Sequence, residues 1–289
     1  MELIRLYQTF VVYSMIGWVL ESIFHSVWEK KLVNRGFLNG PFVPVYGFGA
    51  LLVLAVLQPF SQHWYIVFPV SILLTTTLEY FTGWAMEKLF HNRWWDYSMF
   101  PLNLHGRICF IFSLGWGFLC LLLVYVINPA VERVVERPSQ ALSTTIAVIM
   151  FVVMLADLIF TIRATVNLNE TLMKLEKVRS MARVRGSEFT GGIQERMAVI
   201  AKSFIIWRKQ VREIGYIQRR LLRAFPHMQS LRYQESFDRL RGWLNGRRPH
   251  FVMPVVKIPD LRKILESIEL PPRPILKNPF ANGTRKKKK

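Results

Sequence analysis

Residues 6–28 read LYQTFVVYSMIGWVLESIFHSVW, and this stretch decides the fold. It holds one carboxylate, Glu21, and one histidine, His25, among apolar and small side chains. About 20 mostly apolar residues make a spanning helix, and a carboxylate inside a span is costly enough to be kept for a reason. The setting recurs. Gly17, Trp18 and Glu21 precede a loop opening Asn34-Arg35-Gly36-Phe37, and Gly83, Trp84 and Glu87 precede Asn92-Arg93-Trp94-Trp95. The twin pattern suggests a duplicated helical hairpin built around polar groups in lipid.

Working outward, five segments predict spans: Leu6–Trp28, Tyr46–Pro59, Trp64–Met86, Ile108–Ile127 and Ala141–Ile162, the second being the weakest. The fold class is therefore all-α, an integral membrane helical bundle of about five transmembrane helices with a cytoplasmic amphipathic helical tail. Loop one carries Lys30, Lys31 and Arg35, and loop three carries Lys88, Arg93 and Arg107. Loop two has no basic residue, and Arg133 and Arg137 of loop four are balanced by Glu132 and Glu136. The positive-inside rule puts loops one and three and the tail in the cytoplasm of a multi-pass cell-membrane protein, with the N-terminus outside. Both hairpins then have one orientation.

Charge divides the chain. Nine basic and nine acidic residues precede Arg163, so the whole formal charge of +19 resides beyond it. Residues 1–163 are expected to be a transmembrane domain of two hairpins plus a fifth helix. Residues 164–246 are expected to be a basic helical region, and residues 247–289 a Pro- and Lys-rich extended or disordered tail. The N-terminal apolar run is too long, too weakly preceded by positive charge and too poor in a cleavage site for a secretory signal. Cys109 and Cys120 are the two cysteines, about 16 Å apart if helical, which excludes a disulfide.

On the first helix Ser14, Gly17, Glu21 and His25 share a face; on the third, Thr75, Glu79, Thr82, Gly83 and Glu87 do. Asp157 lies near the cytoplasmic end of the fifth. Glu87 reads as interfacial, so the acid matching Glu21 in depth is Glu79. These acids have three readings. Glu21, Glu79, Asp157 and His25 line a polar, cytoplasm-facing cavity for a substrate, ion or proton; or each acid is structural, pairing with Arg35, Arg93 or Arg107 or capping a backbone group; or the acids snorkel to the surface. The loops are also open. Loop one, rich in Gly, Pro and aromatics from Asn34 onward, folds back on the helix ends or dips into the bilayer. Loop three, with Trp94, Trp95, Asp96, Asn103 and Arg107, is an interfacial aromatic belt or a cap over the polar pocket held by Asp96 and Arg107.

The tail carries an apolar stripe of Leu168, Leu172, Leu175 and Val178, and another of Ile193, Met197, Ile200, Phe204, Trp207, Val211 and Ile214. Gly186 and Gly191-Gly192 lie between them, and a last short helix follows Pro226, at about Ser230–Trp243. Its basic face (Arg208, Lys209, Arg212, Arg219, Arg220, Arg223) suits anionic headgroups or a cytoplasmic partner, and charge alone is thin support for nucleic acid.

No P-loop, His-Glu-x-x-His or Gly-x-Ser-x-Gly motif is present, so no catalytic residue, metal or cofactor is expected. At the loops the sequence becomes recognisable. Gly17-Trp18-x-x-Glu21, Asn34-Arg35-Gly36-Phe37-Leu38-x-Gly40-Pro41, Pro44-x-Tyr46-Gly47-x-Gly49, Glu79-Tyr80-x-Thr82-Gly83, Trp94-Trp95-Asp96-Tyr97-Ser98 and Asn103-x-x-Gly106-Arg107 together resemble the bacterial membrane proteins of the Putative ABC-transporter type IV family, over residues 5–160. The resemblance implies a transporter permease of the cell membrane. The missing P-loop and catalytic motifs add the expectation that it is not an enzyme and that any transport is powered by an ATPase subunit or a gradient. So small a unit implies a partner or a homo-oligomer. The alternative is a membrane scaffold or regulator whose basic tail binds anionic lipid or a protein.

Overall fold

The computed structural model describes residues 2–188, 203 and 205–244. Its helices are α1 Glu2–Glu29, α2 Pro44–Leu57, α3 Trp64–Phe90, α4 Phe110–Leu122, α5 Asn128–Glu136, α6 Gln140–Glu188, α7 residues 205–212, α8 Tyr216–Ala224 and α9 Gln234–Leu244. Four two-residue strands, β1 Asn92–Arg93, β2 Asn103–Leu104, β3 Ile108–Cys109 and β4 Gln229–Ser230, stitch the loops. A π turn at Leu123–Ile127 joins α4 to α5 in one rod. Pro129 accounts for it, since it lacks an N–H and its ring collides with the carbonyl four residues earlier.

Among the described residues, four helices are long and apolar enough to cross a membrane: Glu2–Glu29, Trp64–Phe90, Phe110–Glu136 and the Gln140–Ser180 part of α6. The helix expected to be weakest is also the shortest of the five. With 14 residues, α2 reaches about 21 Å, less than the ~30 Å hydrocarbon core. Pro44 begins it and a 3₁₀ turn containing Pro59 follows it. The bundle is an all-α, multi-pass membrane protein. Its outer surface fits lipid: Phe24, Leu73, Phe118, Phe151 and Phe160 are all more than half exposed, a surface that water would not tolerate in such extent.

Small residues set the helix contacts. A Cβ on Gly17 would overlap the Tyr46 ring, and one on Gly47 would strike Ser14 and Phe10, so α1 and α2 approach at backbone distance. Gly117 gives α4 the same closeness to Phe68 and Ile72 of α3. At one end of the bundle Tyr13, Leu54, Leu57, Val67, Val131 and Val135 share a core, fastened by Tyr13 Oη donating to Asn128 Oδ1 at 2.6 Å.

At the other end the chain builds a second core. The 49-residue α6 runs about 73 Å without a break at Gly186, far beyond any bilayer core. Leu168, Leu172 and Leu175 bury against Trp207, Val211, Ile214, Leu221, Met228, Phe237 and Leu240, with Phe90 and Trp94 of the loop-three end included. The first tail stripe thus faces protein. Arg220, read from sequence as part of a basic face for anionic headgroups or a cytoplasmic partner, is buried; it donates to the carbonyls of Gly36 at 3.0 Å and Phe37 at 2.7 Å. Arg35 donates in return to the Ala224 carbonyl, and β1 pairs antiparallel with β4. Loop one, loop three and α8–α9 therefore meet at one end of the bundle. The turn expected at Gly191-Gly192, the stripe Ile193, Met197, Ile200 and Phe204, and the Pro/Lys-rich segment beyond residue 246 lie outside the described residues.

Candidate functional site

A cavity of about 1210 Å³ runs from this end of the bundle inward as far as Tyr13 and Ile127, larger than the ~300–1,000 Å³ common for small-molecule sites. Its wall is drawn from α1, α2, α3, α4, loop three and α6, and Phe225, Pro226 and His227 from the turn after α8 reach it as well. Most of the wall is apolar. Its charged and titratable groups include Glu21, His25, Arg35, Glu79 and Asp96.

The two acids are held in parallel ways. In the first hairpin Glu21 of α1 accepts a hydrogen bond from Tyr46 Oη of α2 at 2.8 Å. In the second, Glu79 of α3 accepts one from Trp116 Nε1 of α4 at 3.0 Å and another from Tyr97 Oη at 3.1 Å. Aromatic contact links the halves, since the Tyr46 and Trp116 rings meet edge to face at 5.5 Å. Burial, then the Glu79 charge, holds the Tyr97 phenol above its ordinary value, so it stays protonated and donates.

Their electrostatics differ. Glu21 has His25 Nε2 at 3.4 Å and Arg35 Nε at 3.6 Å. Burial lowers the Arg35 guanidinium from its ordinary value, Glu21 and Glu29 offset part of this, and its plane rests 4.3 Å over Phe225. Around Glu79, among the described residues, the hydrogen-bonding partners are the neutral phenol and indole.

Glu87, expected at the interface, is buried at 8% exposure because loop three folds back over the end of α3. Arg93 Nε reaches it at 2.8 Å and Arg107 at 2.5 Å, and Arg107 also donates to Tyr80 Oη at 3.1 Å. Loop three is a built structure. His91 ends α3 in the left-handed region, β2 pairs with β3, and Trp95 Nε1 donates to the Arg107 carbonyl at 2.9 Å. Asn103 accepts from the Gly106 N–H at 3.1 Å. Gly106 has φ +69°, and a Cβ there would press on Asp96 and Ser98. Asp96 accepts from Ser98 and from Gln229 Nε2 at 3.1 Å, tying the loop to the tail. Burial alone would raise the Asp96 carboxyl, but the Ser98 hydrogen bonds, Arg93 and Gln229 outweigh it and leave it below its ordinary value.

Of the residues singled out from sequence, Glu21, His25, Arg35, Glu79, Trp94, Trp95 and Asp96 come together on the cavity wall. Asp157 serves loop one instead: its oxygens accept from the Asn39 N–H at 3.0 Å and the Gly40 N–H at 2.7 Å. Asn34 is also a loop-one brace, accepting from Trp18 Nε1 at 2.7 Å and donating to the Asn39 carbonyl at 2.9 Å. Arg107 and Asn103 shape loop three. The donors to the acids, Tyr46, Tyr97 and Trp116, are not among the candidate site residues: Tyr46 and Tyr97 stand only in the quoted motifs, and Trp116, an uncharged ring in an apolar run, gives no local sign of its partner. Among the described residues no three His, Cys, Asp or Glu gather to hold a metal ion.

No curated protein and no solved structure matches the chain. A family model described as Putative ABC-transporter type IV matches residues 8–162, more than half of the 289 residues. The matched region contains both hairpins, both loops and every cavity carboxylate. The chain belongs to the Putative ABC-transporter type IV family.

Proposed function

We propose that this protein is the permease-like subunit of a transporter, with Glu21 and Glu79 lining the solute site and energy supplied by a separate ATPase subunit or a gradient. One observation carries the reading: a large cavity at the end of a membrane bundle with two intramembrane carboxylates on its wall. Loops one and three, the cavity and α8–α9 then lie on the cytoplasmic side, where their basic residues are retained, and the N-terminus lies outside. Phe225, Pro226 and His227 line the cavity, which supports a role for the C-terminal helices in sensing its contents.

Affinity purification from native membranes tests this. An ATPase subunit is expected to co-purify, and Glu21→Gln or Glu79→Gln is expected to uncouple its ATP hydrolysis in the reconstituted complex while the protein stays monodisperse. Unchanged hydrolysis in both variants would sink the role of the acids. A scaffold or regulator reading is favoured by the separate core of α7–α9 stacked on both loops. It predicts loss of function on removing residues 205–289 with the membrane bundle intact and no ATPase in the preparation.

A further inference from the structure

Two carboxylates on the cavity wall, Glu21 and Glu79, are unequal, and the inequality has chemical meaning. Glu21 is compensated by Arg35 and His25 at ion-pair distance. Glu79 has hydrogen bonds from Tyr97 and Trp116 and, among the described residues, no cation at ion-pair distance. A carboxylate in a membrane span is stabilised by a positive partner or a proton. Glu79 sits on an open cavity, so that partner can come from outside the chain.

The surroundings say which kind of cation fits. Tyr46 and Trp116 meet edge to face at 5.5 Å, and Tyr97 and Phe112 stack at 4.8 Å, and all four rings line the cavity. Aromatic faces attract weakly hydrated organic cations, and a nearby carboxylate completes such a cage. A hard divalent ion asks for six or more oxygen ligands, whereas the groups against Glu79 are a phenol and an indole. Beyond the rings the wall is aliphatic, with Leu78, Leu119 and Leu123.

We infer that Glu79, with Tyr46, Tyr97, Phe112 and Trp116, is the recognition site for an organic cation with an apolar body. An amine or quaternary ammonium group docks against Glu79 and the rings, and its apolar part lies along Leu78, Leu119 and Leu123. This names the substrate class of the proposed transporter and rests on that reading for its purpose.

Full-length protein in nanodiscs of zwitterionic lipid is titrated with radiolabelled tetraphenylphosphonium, a hydrophobic cation, with triphenylphosphine oxide, a neutral molecule of related shape, as competitor. Saturable tetraphenylphosphonium binding that triphenylphosphine oxide does not displace is expected. Glu79→Gln should weaken it about tenfold or more, and Trp116→Leu by a smaller factor, roughly threefold. Displacement by triphenylphosphine oxide as effective as by unlabelled tetraphenylphosphonium, wild-type affinity in Glu79→Gln, or no saturable binding overturns the inference. If Glu79→Gln is not monodisperse, the cation-against-neutral comparison on the wild-type protein decides. The co-purification above separates the two ideas. An ATPase without tetraphenylphosphonium binding removes the substrate class and leaves the transporter; binding without an ATPase keeps the site and removes the ATPase-driven form of the transporter.

Discussion

Asp157 holds loop one, and replacing it by asparagine tests how the cavity is kept in shape. Its two oxygens accept the Asn39 and Gly40 N–H groups at 3.0 and 2.7 Å, with Thr161 Oγ1 donating at 3.2 Å. A hydrogen bond to an ionised group contributes about 1.5–3 kcal/mol net. Asparagine keeps one oxygen for one N–H and turns an NH₂ toward the other, so one charge-assisted bond is lost and one donor faces a donor. The site is only partly buried, which puts the expected cost toward the lower end, about 2 kcal/mol. In the limit where exchange follows the local opening equilibrium, 2 kcal/mol is roughly a 30-fold faster exchange of the loop-one amides. Hydrogen–deuterium exchange by mass spectrometry on the peptide covering residues 30–43, in nanodiscs, measures this directly. Asp157→Ala should exceed Asp157→Asn, since both acceptors go. Loop one also carries Arg35 to Glu21, so a loosened loop disturbs the charge balance of the cavity. Wild-type exchange of this peptide in Asp157→Asn would refute the account, because the two amides would then not depend on the carboxylate.

Three further outcomes follow from the structure. Glu87→Gln leaves Arg93 and Arg107 without their shared anion at a position 8% exposed, and should destabilise the protein by about 3 kcal/mol; an unchanged melting temperature by tryptophan fluorescence would count against the triad. Asp96 has a folded-state value below its ordinary one, so its carboxylate stabilises the cap at all pH above about 3.9, and the contribution fades as pH falls through the lower folded value. Acid unfolding of Asp96→Asn should therefore be shallower than that of the wild type in this window, and superimposable curves would be the contrary result. Gly17→Ala puts a methyl group into the Tyr46 ring and should cost about 2 kcal/mol or more while weakening the Tyr46–Glu21 bond; Gly115→Ala meets nothing within 4 Å and should be near neutral. Thermal unfolding of the two variants side by side checks the contrast.

Some of this was plain in the sequence. Hydrophobicity adds up residue by residue, so the long apolar runs of α1, α3, α4–α5 and α6 announced themselves. The same arithmetic marked α2 as marginal, and the structure gives it 14 residues. Face periodicity singled out Glu21 and Glu79, and both come to one cavity wall because each sits at a comparable depth on the first helix of a hairpin. The tail was harder. An apolar stripe beside a basic face describes a helix on a membrane surface and a helix in a protein core equally well. Leu168, Leu172 and Leu175 have the second fate because α7, α8 and α9 return to cover them.

What the sequence by itself determined is local in origin: which segments prefer lipid, which helix faces are polar, and where positive charge accumulates. What only the tertiary structure decided is which group answers each buried charge. Glu21 meets Arg35, Glu87 takes both Arg93 and Arg107, Asp157 holds the backbone of loop one, and Arg220 reaches Gly36 across 184 residues of sequence. Glu79 keeps two neutral donors. Transfer free energy depends on a residue's own surface and can be summed along a sequence. A hydrogen bond or ion pair depends on a few ångströms between atoms far apart in the chain, and those distances exist only once the helices have packed.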